Sequence, residues 1–165
     1  MAEPLENQQR PETVLATNDR FSKIISDQDR SVLLSGPIPL VVDVLAKSVA
    51  SFDDDEAKRS IKTRVVALNT RGSHLSNQVK EFISVVDGKQ SGSLAPFHGG
   101  IDSDYLSIFC GVIEAVREIN NPDLAKKLSL AIEENSREMS QNPNGAQGYQ
   151  TLETIRANIS SKQSL

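Results

Sequence analysis

Apolar residues recur along this chain with helical spacing rather than in alternation. Phe21, Ile24, Ile25 and Val32, with Gln28 as a polar intruder, fall at i, i+3, i+4, i+11 and i+7, and predict a first helix over about 18–34. The "SGPIP" stretch then ends it, with Gly36 suited to a C-terminal cap and Pro37 and Pro39 to the first turn of the next helix. That second helix, roughly 38–51, carries Leu40, Val41, Val42, Val44, Leu45 and Val49 and is apolar round most of its circumference, so it belongs at the centre of the fold. Its valines would also suit a buried strand. The Ala46–Ala50 continuation and the length favour a helix.

The most regular pattern follows. Ile61, Val65, Leu68, Gly72, Leu75, Val79, Phe82 and Val86 are spaced 4-3-4-3-4-3-4, a heptad seam in which Gly72 alone is not a large apolar residue. Ser51 or Asp53 suits its N-cap, and Asp53, Asp54, Asp55 and Glu56 sit where the helix dipole favours negative charge. Gly88 is expected to end it. Unbroken, ~35 residues at helical rise would reach about 52 Å, long for a domain of this size. Gly72 and the surrounding "NTRGSH" are where a kink or a division is expected.

A Gly/Ser-rich connection covers 88 to about 102. A fourth helix, about 103–120, has Leu106, Phe109, Ile113 and Val116 on one face and Ile108, Val112 and Ile119 on a second, and reads as internal. "NNPD" restarts the chain, with Asn121 as N-cap, Pro122 at the first helical position and Asp123 in the first turn. The fifth helix, 122–140, carries Leu124, Leu128, Ala131 and Ile132. After the loop 142–148, a short sixth helix at about 150–159 presents Leu152, Ile155 and Ile159. No segment alternates over strand length. The expectation is all-α: an antiparallel helical bundle of five to six helices with one long, heptad-patterned helix, occupying 18–160 as a single domain. Residues 1–17 read as a flexible polar tail and 161–165 as a frayed C-terminus.

Composition narrows the function. The chain has 165 residues and a net charge of −4, which gives no global reason to bind a polyanion or an anionic membrane. The helices are not basic enough for membrane-surface binders, and no stretch approaches the ~20 apolar residues of a spanning helix. Cys110 is the single cysteine, so no internal disulfide forms, and Met1–Arg20 lacks a signal-length apolar core. A cytoplasmic setting is expected.

Candidate chemistry concentrates in "SLAPFHGGIDSDY", residues 93–105. A His-Gly-Gly run suits an oxyanion hole, but the G-x-S-x-G nucleophile elbow that accompanies it is missing. The simpler reading makes 93–101 a turn, with Asp102 or Ser103 capping the fourth helix and Asp104 at its positive end. Cys110 lies inside "SIFCGVI" and reads as a small buried hydrophobe. The acidic run 53–56 lacks the calcium-loop spacing; capping and i,i+4 pairs of Asp54 with Lys58 and Asp55 with Arg59 account for it. Neither catalytic nor metal nor cofactor residues are assigned. Lys58, Arg59, Lys62, Arg64 and Arg71 are the candidate contacts to a partner or to phosphate, with Lys62, Arg64 and Arg71 in e and g registers that choose partner helices.

"GPIPLVVDVLAKSVASF" (36–52) followed by a charged helix resembles the first helical pair of rod-shaped plant-virus coat proteins. The resemblance covers only that stretch, and the aromatic-rich and Arg/Asp patterns of those coats are missing. Long heptad helices also occur in helical adaptor and signalling domains. The leading expectation is a non-enzymatic α-helical protein–protein interaction or assembly module, self-association included. The second is a nucleic-acid-associated, coat-like subunit that uses the basic helix face through backbone contacts. The third is a small hydrolase or redox enzyme that uses Cys110 or His98.

Overall fold

Seven helices are found in the computed structural model, which describes residues 21–69, 74–89, 100–137 and 145–160. They are α1 (Asp27–Ser35), α2 (Ile38–Ala50), α3 (Asp55–Asn69), α4 (Asn77–Val86), α5 (Asp102–Ile119), α6 (Pro122–Asn135) and α7 (Gly145–Ser160). The all-α expectation holds. The helix count exceeds the expected five to six because the heptad stretch is divided.

The expected first helix is interrupted: residues 21–22 are helical, 23–26 are not, and α1 begins at Asp27. Ile24 and Ile25 N–H groups both return to the Phe21 carbonyl, forming a turn, and the Ser26 hydroxyl accepts the Asp29 N–H at 3.1 Å to cap α1. Phe21, Ile24 and Ile25 are still buried, so their spacing served a helix end and the turn after it, both folded onto the core. Residues 18–20 lie outside the described residues. Between α1 and α2 the axis bends by 103° at Gly36–Pro37. A Cβ at Gly36 would stand 2.4 Å from the Thr151 Oγ1, so this corner rests directly on α7.

Asn69 shows how the heptad stretch is divided. This side chain is buried at the end of α3. Its Oδ1 accepts the Ser76 N–H at 2.9 Å, while its Nδ2 donates to Asp104 Oδ1 at 3.2 Å and Ser107 Oγ at 3.3 Å. Ser76 in turn caps α4 by accepting the Val79 N–H at 3.2 Å. One amide therefore ties the end of α3 to the start of α4 and to α5, satisfying polar groups that burial would otherwise penalise. Gly72, the expected breakpoint, lies outside the described residues.

Both halves of the seam point into this chain's own core. Ile61, Val65, Val79, Phe82 and Val86 are buried, and Leu68 and Leu75 pack against the same cluster. Helix α5 is the central element, touching all six other helices and pairing most extensively with α3. The pairing is close because of Gly111. A Cβ there would come within 2.5 Å of Val65 Cγ2, 2.7 Å of its Cα and 2.9 Å of its backbone N. Helix α2 is also internal, as its all-round apolar surface suggested, with Val41, Val42, Leu45, Ala46 and Val49 fully buried. No single helix among the described residues is long and apolar enough to cross a membrane.

Candidate functional site

Helix α3 presents its packing residues Ala57, Ile61 and Val65 inward. The 3.6-residue period then places Glu56, Arg59, Ser60 and Thr63 together on another side. This polar stripe faces the second half of α5. With Arg64, Ala115, Glu118 and Ile119 it lines a groove of about 440 Å³. Two of the candidate contact residues, Arg59 and Arg64, thus share one surface feature.

The other basic residues go elsewhere. Lys58 Nζ donates to the Ala50 carbonyl at 3.4 Å, at the end of α2. Lys62 Nζ stands 2.5 Å from Asp87 Oδ1, just beyond α4. Arg64 reaches across to α5, with Nη1 2.9 Å from Glu114 Oε1 and Nη2 paired with Glu118. The hydrogen bond that Arg64 donates to the Glu114 carboxylate is the main reason its pKa is raised. Arg59 is exposed along the groove, and Arg71 lies outside the described residues. The basic run, whose described members all lie on α3, is therefore tied to the ends of α2 and α4 and to α5, with Arg59 facing outward. The ion pairs expected for Asp54 with Lys58 and for Asp55 with Arg59 are not among those of the described residues. Asp54 instead caps α3, its Oδ1 accepting the N–H groups of Glu56 and Ala57 at 3.0 and 3.1 Å, which displaces Ser51 and Asp53 from that role.

In the 93–105 stretch, His98 and Gly99 lie outside the described residues. From Gly100 onward the residues have local structural work. The Gly100 N–H donates to the Tyr105 hydroxyl at 3.0 Å. Ile101 occupies the N-cap position of α5 and offers no side-chain acceptor. Asp104, rather than Asp102 or Ser103, secures that end, its Oδ2 accepting the Ile101 N–H at 3.2 Å while its Oδ1 accepts from Asn69. Cys110 is fully buried in the middle of α5. Burial first, and the Glu114 carboxylate second, push its thiol up to about 12 against the opposing charges of Arg30 and Arg117. Such a thiol stays protonated at neutral pH and is a poor nucleophile. No group of three or more His, Cys, Asp or Glu side chains is placed to hold a metal ion among the described residues.

Sequence reading missed one cluster. Arg117 Nη1 donates to the Ile24 carbonyl at 2.7 Å, Nε to the Asn158 carbonyl at 3.0 Å, and Nη2 to Asn158 Oδ1 at 2.9 Å. Asn158 Nδ2 continues to Asp29 Oδ2 at 3.0 Å. One guanidinium thus joins α5, α7 and the turn before α1, and its partial burial lowers its pKa. The signal in the sequence is a lone basic residue within the apolar run "GVIEAVREI" of an internal helix. A charge placed there must be paired and hydrogen-bonded. Compared with known proteins, the chain matches no family model, no curated protein and no solved structure.

Proposed function

We propose that this chain is a non-enzymatic α-helical interaction or assembly module, an antiparallel bundle that receives a protein partner in the groove between α3 and α5. The observation that carries this reading is the lining of the groove. Partly exposed Ile119 provides apolar surface over the buried floor at Ala115, and Glu56, Arg59, Arg64 and Glu118 frame it with both signs of charge. An apolar strip with a mixed-charge rim complements a protein segment built the same way. A phosphate backbone would instead need cations free to replace its counterions. Lys62 and Arg64 are already held by carboxylates, so a polyanion would have to displace Asp87, Glu114 and Glu118. Burial of the seam within the chain's own core turns the reading toward a different protein as partner and away from a second copy docked through that seam.

Site-specific photocrosslinking in the native cell tests the proposal. A photoreactive residue at Thr63 is expected to capture a discrete protein, and the same residue at Lys47, on exposed α2 surface, is not. Arg59→Glu should abolish the Thr63 adduct. Equal capture at both positions would overturn the reading. Capture of RNA at Thr63 would replace it with the coat-like one.

A further inference from the structure

On the side of α5 opposite the groove, a pocket of about 300 Å³ forms where the end of α5, the start of α6 and the end of α7 converge. Its volume lies at the lower limit of small-molecule sites, about 300–1,000 Å³. Val116, Ala125 and Ile159 give it an apolar wall, and Asn120, Arg117 and Lys126 a polar one. Among the described residues that line it, the ionisable ones are Arg117 and Lys126, both cations.

Three features give the pocket a chemical preference. Arg117 is fixed by three hydrogen bonds to Ile24 and Asn158, so its guanidinium is oriented before any ligand arrives. A pre-positioned planar donor suits a carboxylate. Glu114, and Asp29 two hydrogen bonds away through Asn158, offset part of the Arg117 charge. With exposed Lys126 at the rim, the site therefore balances roughly one negative charge rather than two. The chain enters α6 through Asn120, whose left-handed conformation (φ 53°) turns the backbone sharply and sets the lip of the pocket.

We propose that this pocket binds a small organic monocarboxylate, its carboxylate toward Arg117 and Lys126 and its short hydrocarbon body against Val116, Ala125 and Ile159. The inference rests on a different face from the interaction groove and is independent of that reading.

The test is an NMR titration of the full ¹⁵N-labelled chain with sodium hexanoate, taken to about 20 mM because a charge-assisted contact of this size supports millimolar binding. Saturable shifts are expected at the amides of 116–121, 123–126 and 159–160. Hexanamide, of the same shape without charge, is expected to bind about tenfold more weakly or worse. Lys126→Glu changes an exposed side chain, leaves the fold intact and should weaken hexanoate to a similar degree. Ala125→Leu should fill the apolar part and remove binding. The proposal is overturned by shifts that never saturate, by equal binding of hexanamide, by unchanged affinity in either variant, or by inorganic phosphate binding as tightly as hexanoate.

Discussion

Facing α3, helix α5 carries no side chain at all at Gly111, and the backbone of Val65 lies against it. Facing α7 and the turn at 21–25, the same helix carries Arg117, one of the longest side chains available, and fills the gap with a charged fork. Both contacts are tight, for opposite reasons. The first is a steric fit whose strength lies in dispersion and excluded water. The second is a polar joint in which one cation satisfies carbonyl and amide oxygens on two separate elements. A steric joint should fail when anything is added to it, and a polar joint when anything is taken away.

The largest expected effect tests the steric side. Gly111→Val places atoms inside the space of Val65 and should cost about 3 kcal/mol or more, since overpacking against a backbone leaves little room to relax. That is a large share of a typical domain's 5–15 kcal/mol, roughly speaking, so the urea midpoint should drop sharply or folding should be lost. A companion experiment separates side-chain from backbone crowding. Gly111→Ala should remain destabilised in a Val65→Ala background, because the added Cβ still meets Val65 Cα and N at 2.7 and 2.9 Å. Full rescue by Val65→Ala would show that only the Cγ2 contact mattered.

The polar side should give an intermediate loss. Arg117→Ala removes the donor from the Ile24 carbonyl, the Asn158 carbonyl and Asn158 Oδ1 together, and should cost about 2–3 kcal/mol. Arg117→Lys should recover only a minority of this, since one ammonium does not reproduce the fork that spans two elements. Unlike the Gly111 variants, both should raise hydrogen exchange locally in the 21–29 segment before the whole domain opens. Uniform exchange across the chain would mean that the two joints do not differ in kind.

The same contrast explains what could be read from the sequence. Apolar spacing is a local signal, and it located the helices around Val41, Val65, Phe82, Phe109 and Leu128 and the all-α class. Asn121 followed by Pro122 was legible for the same reason: the Asn121 side chain accepts the N–H groups of Asp123 and Leu124, both nearby in sequence. Spacing also carried the seam over 61–86 but could not show its division. That depends on Asn69 reaching Asp104 and Ser107, which lie 35 and 38 residues away. The Arg117 cluster spans still longer separations, 93 residues to Ile24 and 41 to Asn158. Glycine is by itself only a weak helix former, and nothing local in "FCGVI" shows the helix that Gly111 meets. For the candidate site, the helical period placed Arg59 and Thr63 on one side of α3, but the carboxylates that hold Lys62 and Arg64 come from other elements.

Cys110, next to Gly111 in α5, offers the smallest and most specific test. Its thiol is raised from an ordinary value of 9.0 to about 12, chiefly by burial. The folded chain therefore keeps a proton that the unfolded chain releases. Its contribution to stability is fully present below about pH 9 and declines as pH rises through the folded value. Within that window the group adds at most about 1.4 kcal/mol of loss per pH unit, one proton's worth. Lysines and tyrosines titrate over the same range, so the quantity to measure is a difference. The fall in urea-unfolding stability from about pH 8 to pH 10.5 should be shallower in Cys110→Ala than in the parent chain, whatever the absolute loss from the smaller side chain. Native-state labelling by iodoacetamide should in parallel proceed only as fast as the domain opens, and should speed up more in Gly111→Ala than in Arg117→Lys. That order follows because global opening, which the steric joint governs, is what exposes the middle of α5, whereas loosening the polar joint frees the 21–29 segment first. Equal acceleration in the two variants would place Cys110 under the control of the polar joint and reverse the assignment.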